Sequence, residues 1–149
     1  MLARADLRCA TAADVAAVAD LLAAAGLPTV GVEQLVRAPN VLVVATDGRA
    51  VLGAVGLEAH GAQRLLRSLV VAPRARSVGI GRSLVRRALE VAGGREVILL
   101  TETAPGFFEA LGFDTVEHAA VVGPVTTSGE WTSLCPDTAV VMRRAATAT

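Results

Sequence analysis

The chain has 149 residues, enough for one well-fed core and too few for two, so a single domain over residues 1–149 is expected. All 14 basic residues are arginine and tyrosine is absent, which excludes Schiff-base lysines, phosphate-loop lysines and tyrosine acids, and with them pyridoxal enzymes and Walker-type nucleotide hydrolases. With 53% hydrophobic residues, 19% charged residues, zero net charge and few aromatics, the composition fits a globular core and argues against disorder and against nucleic-acid binding.

In chain order, Leu7-Arg8-Cys9 reads as a short strand. Thr11 and Asp14 form a capping box ahead of Val15, Val18, Leu22 and Ala25, which share one helical face until Gly26 and Pro28 stop the helix. A short helix is expected around residues 32–36. The runs 41–45 and 51–57 are β-like and are joined at Asp47-Gly48, a hairpin signal. A third run, 65–71, follows a turn at His60-Gly61 and closes at Pro73. From Gly79 the pattern turns helical through Leu84, Val85, Ala88, Leu89 and Ala92, and Gly93-Gly94 breaks it. Residues 97–101 form a strand. Thr103 and Pro105 open a short helix with Phe107, Phe108 and Leu111 on its apolar face and Gly112 at its end. Residues 123–136 read as a loop and 139–142 as a last strand. The order predicts a mixed α/β domain.

The longest charge-free stretches are 12 residues, too short to span a bilayer, and Asp6, Asp14 and Asp20 interrupt any signal-peptide pattern, so a cytoplasmic protein with no membrane partner is expected. Cys9 and Cys135 are distant and lack Cys-x-x-Cys spacing, so neither a metal site nor a disulfide framework is encoded.

The chemistry concentrates between residues 65 and 84, where a strand passes through a loop holding Gly79 and Gly81 into an amphipathic helix. Such a loop traps anions, because glycine admits close approach and the unpaired first-turn amides carry the positive end of the helix dipole. Charge agrees. No acidic residue lies between Glu58 and Glu90, while Arg64, Arg67, Arg74, Arg76, Arg82, Arg86 and Arg87 do.

Arg76-Ser77-Val78-Gly79-Ile80-Gly81 resembles the acyl-CoA pyrophosphate loop of the GNAT superfamily of N-acetyltransferases, and Phe107 to Phe113 is similar to the aromatic helix after that family's fifth strand. The resemblance implies a single-domain GNAT fold: a mixed, mostly antiparallel sheet with splayed fourth and fifth strands and flanking helices. It implies acetyl-CoA as co-substrate, held by Arg76, the amides of Val78, Gly79, Ile80, Gly81 and Arg82, and the strand edge at Leu69, Val70 and Val71. It further implies a small-molecule amine acceptor, with Arg67, Ser68 and Thr101 on its side of the cleft, and a homodimer paired at the exposed edge of the last strand.

Two departures from the family pattern matter. Phe108 stands where many members carry a tyrosine acid, so thiolate departure must be assisted by water or a released proton, with Ser133 or Cys135 as distant substitutes. Arg67 stands where many carry a glutamate on the fourth strand. Arginine is no base at pH 7 and grips oxyanions, which predicts an anionic, amino-acid-like acceptor; the plain alternative is that Arg67 pairs with Glu58 or Glu102. The base then falls to Glu58, His60 or Glu102, with Glu58 first. Residues 66–71, 100–103 followed by Phe107-Phe108, and 134–139 are similar to the second type of acetyltransferase encoded in arsenic-resistance operons; Arg67-Ser68-Leu69 and Leu100-Thr101-Glu102-Thr103 are also similar to short bacterial N-acetylglutamate synthases, while Trp131, Ser133 and Cys135 would line the acceptor pocket. A non-catalytic acyl-CoA-binding or metalloid-binding protein is the competing class.

Overall fold

The computed structural model describes residues 5–76, 78–102, 104–133 and 139–147, apart from the side chain of Ser133. Thr103 and Cys135 lie outside the described residues, as does the Ser133 side chain.

The elements follow the apolar punctuation. Strand β1 (Asp6–Cys9) leads to helix α1 (Val15–Ala24), then β2 (Val41–Thr46), β3 (Val51–His60) and β4 (Gln63–Val71). Helix α2 (Ile80–Ala92), β5 (Glu96–Thr101), α3 (Pro105–Glu109), β6 (Asp114–Val116), α4 (Gly129–Ser133) and β7 (Val140–Arg144) complete the chain. The two hairpin turns sit at Gly48 (φ +92°) and Gly61 (φ +60°). The expected short helix at 32–36 is a single 3-10 segment, Val32–Val36. Asp14 caps the start of α1 by accepting the Thr11 amide at 2.9 Å and a two-pronged grip from Arg8 at 2.8 and 2.9 Å.

Seven strands form one sheet in the order β1-β2-β3-β4-β5-β7-β6. Among the described residues only the β4–β5 pair is parallel. Both faces are covered, which is why β2 and β3 are nearly continuously apolar: Leu42 and Val44 pack with Val18 and Leu22 of α1, while Val43 and Ala45 pack with Leu84 and Val85 of α2. A third cluster joins Leu65, Ile98 and Val141 to Val121, Val125 and Trp131 from the segment between β6 and β7.

Two sequence expectations change. Residues 129–133 are helical where a loop is expected, capped by Ser128, whose Oγ accepts the Trp131 amide at 3.1 Å. The last strand is not a sheet edge, because β6, too short to be read from periodicity, pairs along its outer side. The expected exposed dimerisation edge at β7 is therefore absent.

Two irregularities in β4 shape the site. Between the pairs Gly56↔Arg67 and Ala54↔Val70, β3 advances two residues while β4 advances three, a bulge with Ser68 at φ +59°. Parallel pairing with β5 is confined to Gln63–Leu65 against Glu96–Ile98, so the rest of both strands diverges. That divergence opens a gap in the middle of the sheet.

Candidate active site

The gap is a cavity of about 550 Å³, walled by Leu66 to Leu69 of β4 and Leu99 to Glu102 at the end of β5, and closed by Phe107 and Phe108, residues 25–28 after α1, and Glu130 of α4. The Phe108 ring is braced edge-on by Phe107 at 5.1 Å and by Phe113 at 5.8 Å. This packing explains why an aromatic helix follows β5: its rings fill the space that the missing β4–β5 pairing would leave empty. Arg67, Ser68, Leu69, Thr101, Glu102 and Phe108 therefore converge on one cavity, although they come from three separate stretches of sequence.

Arg67 is buried, its side chain 6% exposed, and its charge is met from three sides. Its Nη1 donates to Glu58 Oε2 at 3.0 Å, its Nε to Ser68 Oγ at 3.3 Å, and its Nη2 to the carbonyl of Val30. Glu58 in turn holds His60, Oε1 to Nε2 at 2.5 Å. The pairing of Arg67 with Glu58 was the plain alternative read from the sequence. It leaves two of the five guanidinium N–H groups without a named partner. Both oxygens of Glu58 are engaged, and neither Glu58 nor His60 is among the residues lining the cavity. Of the three base candidates read from sequence, Glu102 alone reaches it, as an exposed residue at the rim.

Sequence reasoning missed Glu130. Its Oε2 is buried and has no hydrogen-bond partner, and burial pushes the carboxyl up to about 7, with Arg67 pulling it down and Glu58 pushing it further up. The signal available was Ser128 as an N-cap ahead of an acidic first-turn residue, but Gly123, Pro124, Gly129 and three hydroxyl residues in between read as loop. The segment is held in place from a distance. The buried side chain of Gln63 donates to Glu96 Oε1 at 2.7 Å and to the Val122 carbonyl at 2.6 Å, and accepts the Val125 amide at 2.9 Å. Gly123 passes so close that a Cβ would sit 2.7 Å from Gln63 Oε1.

A second cleft, about 460 Å³, lies over the start of α2 and is lined by Val71, Arg76, Gly79, Ile80, Gly81 and Arg82, with Phe107 shared between it and the gap. Gly79 sits at φ +84°, a conformation that side-chain-bearing residues rarely adopt. The first bond of the helix runs from the Ser83 amide to the Gly79 carbonyl at 3.0 Å, so helical geometry leaves the amides of Ile80, Gly81 and Arg82 without an intrahelical partner. Arg76 anchors the loop by donating from Nε to the Val71 carbonyl at 3.2 Å. Val78 is exposed beside the cleft, and the Val70 side chain belongs to the core, so only its backbone is available to a ligand. Amides, glycine and arginine around a cleft suit a diphosphate, and the unpaired edge of β4 beyond Leu65 suits an amide-bearing arm. These residues fit CoA.

The GNAT acetyltransferase domain family matches residues 38–115, just over half of the chain. The chain belongs to the GNAT acetyltransferase family. The match spans the hairpin, the bulged β4, the cradle and the aromatic helix, which is where the GNAT geometry described above resides. Among solved structures, a Mycobacterium tuberculosis protein in complex with CoA is similar at 22% identity, with a TM-score of 0.78 over 96% of this chain and 99% of that one. N-acetylglutamate synthase from Neisseria gonorrhoeae, complexed with CoA and N-acetyl-glutamate, is similar at 18% identity and a TM-score of 0.80; the alignment takes in 98% of this GNAT chain but only 36% of the synthase. An aminoglycoside 6'-N-acetyltransferase complexed with CoA has a TM-score of 0.69 at 19% identity, over 93% of this chain and 95% of that one. No curated protein matches in sequence.

Proposed function

We propose that this GNAT acetyltransferase moves an acetyl group from acetyl-CoA directly to the amine of a small, anionic, amino-acid-like acceptor in the cytoplasm. The observation that carries the acceptor class is Arg67, a buried cation on the wall of the gap that uses three of its five N–H groups on the described residues. Glu58 and His60 hold that guanidinium in place from behind, and Ser68 and Thr101 border the same space.

The co-substrate's diphosphate would rest on the amides of Ile80, Gly81 and Arg82, with Val78, Arg76 and Arg82 at the rim, and its arm would run along the backbone of Leu69, Val70 and Val71. When bound, it supplies an activated thioester carbonyl. Phe108 walls off the reaction space and donates no proton, so the thiolate, a stable leaving group near neutral pH, departs without a tyrosine.

Glutamate and arsenic-containing amino acids both belong to the acceptor class, in keeping with the two subfamilies the sequence is similar to. The test is thiol release from acetyl-CoA against a panel of glutamate, methionine analogues, arsenic-containing amino acids and an aminoglycoside. Turnover restricted to carboxylate-bearing amines is the expected result. Exclusive use of the aminoglycoside would overturn the acceptor class, and acetyl-CoA binding with no turnover of any amine would leave a binding protein. Arg67→Leu is expected to raise the acceptor KM roughly tenfold, the value of one charge-assisted contact, with acetyl-CoA binding intact. An unchanged acceptor KM sinks the role.

A further inference from the structure

We infer that Glu130 is the general base: its free carboxylate oxygen takes a proton from the acceptor's ammonium group inside the gap between β4 and β5. The inference rests on the acetyltransferase reading above and adds to it the residue that makes the amine nucleophilic.

Three observations converge on this side chain. Glu130 of α4 lines the same cavity as Arg67, Thr101 and Phe108, the space proposed above for the acceptor. Its Oε2 is buried with no hydrogen-bond partner among the described residues, where a buried carboxylate oxygen normally has one, which leaves it open to a donor that arrives with the substrate. The other carboxylates of the region are less suited: Glu58 is engaged by Arg67 and His60 and does not line the cavity, and Glu102 is solvent-exposed at the rim.

Charge arrangement supports the same reading. Facing Glu130 are Arg67 from β4 and, behind it, Glu58 from β3 with His60; Glu102 lies at the end of β5, and His118 stacks on neighbouring Trp131 at 4.3 Å. Burial holds the Glu130 carboxyl at about 7, the value at which a base can both be ionised and accept a proton at physiological pH. A zwitterionic acceptor then has one end for each wall, its carboxylate on the remaining N–H groups of Arg67 and its ammonium on Glu130.

The step balances as follows. One ammonium proton passes to Glu130 and later to solvent. The amine lone pair forms the new C–N bond at the thioester carbonyl, the C–S bond breaks, and the second nitrogen proton goes to the departing sulfur, directly or through water. The third stays on the amide.

The experiment compares the wild type, Glu130→Gln and Glu130→Asp, using the best acceptor of the panel and, separately, no ligand at all. Glu130→Gln should lower kcat/KM about 100-fold or more and lose the acidic limb near pH 7, while Glu130→Asp recovers part of the rate and acetyl-CoA binding is unchanged in both. Without ligand, infrared difference titration should show a carboxylic acid ionising at about 7 in the wild type and not in Glu130→Gln. Stability has a matching sign. The folded carboxyl titrates above its ordinary value of 4.5, so its contribution is present below pH 4.5 and is lost as pH rises through about 7, and Glu130→Gln should remove that loss. A wild-type acidic limb in Glu130→Gln, or no carboxyl titrating near 7, overturns the inference. If the wild type acetylates no amine while the carboxyl titrates as stated, the transferase reading fails and the base role falls with it; turnover with an unaltered limb in the variant defeats the base role alone.

Discussion

The two halves of the active site are built on different principles. The proposed CoA cradle draws on one stretch of the chain, residues 76 and 78–82, whose proposed binding groups are backbone amides placed by a glycine at φ +84° and the first turn of α2. The gap proposed for the acceptor draws Arg67 from β4, Thr101 from β5, Phe108 from α3 and Glu130 from α4, and its proposed working groups are the side chains of Arg67 and Glu130. A backbone device depends on local conformation and tolerates change at neighbouring side chains. A gap of charged side chains depends on every element that positions it, and its protonation states are set by burial. The difference predicts separable failures.

After the loss expected at Glu130→Gln, the largest separable effect is expected at Gly79→Val. A β-branched residue in the left-handed region costs about 1–2 kcal/mol of backbone strain and pulls the amides off the diphosphate, so the acetyl-CoA KM should rise roughly 10-fold to 100-fold with the acceptor KM unchanged. Initial-rate kinetics in both substrates check it. Equal damage to both KM values would mean the cradle and the gap are one cooperative unit joined through Phe107.

Gln63→Leu probes the opposite half from outside the cavity. It strands the Val122 carbonyl and the Val125 amide, leaves Glu96 with Arg143 as its partner, and should cost about 2–3 kcal/mol in denaturant unfolding. Because Gln63 pins the segment that leads into α4, the acceptor KM should rise several-fold while acetyl-CoA binding holds. An unaltered acceptor KM in the folded variant would show that Glu130 is positioned by the Trp131 cluster alone.

The smallest effect belongs to a charged cluster in neither half. Arg8 and the Thr11 amide hold Asp14 at about 2, below its ordinary 3.8, so its contribution is present above pH 3.8 and is lost as pH falls through about 2. Asp14→Asn should remove about 1 kcal/mol at pH 7, less than the shift alone implies because Arg8 is solvent-screened, and should flatten the acid limb of a stability curve. Both KM values should stay at wild type.

Much of this molecule is legible from its residues because the determining signals are local. The hairpin at Asp47-Gly48, the stop at Gly93-Gly94 and the glycine turn at Gly79 ahead of α2 each need a particular backbone conformation that only certain residues supply, and each turn is found where expected. Three-residue β6 carries too short an alternation to register, and without it β7 is misread as an edge. Helix α4 was hidden by glycine, proline and hydroxyl residues whose intrinsic preference is for turns; it exists because Trp131 buries against Leu65, Ile98 and Val141. Glu130 was lost with it.

By itself the sequence determined the α/β order, the glycine loop ahead of α2 and two absences, no lysine and no tyrosine, that constrain the chemistry whatever the fold. Only the tertiary structure decided the rest: that β4 and β5 part after Leu65, that Arg67 is paired with Glu58, and that the carboxylate left unpaired beside it comes from a segment sixty residues further on. Glycine loops and helix starts are properties of consecutive residues. Partnership and ionisation of buried charges depend on desolvation and on neighbours distant in the chain, which come into being only when the sheet and its covering helices close.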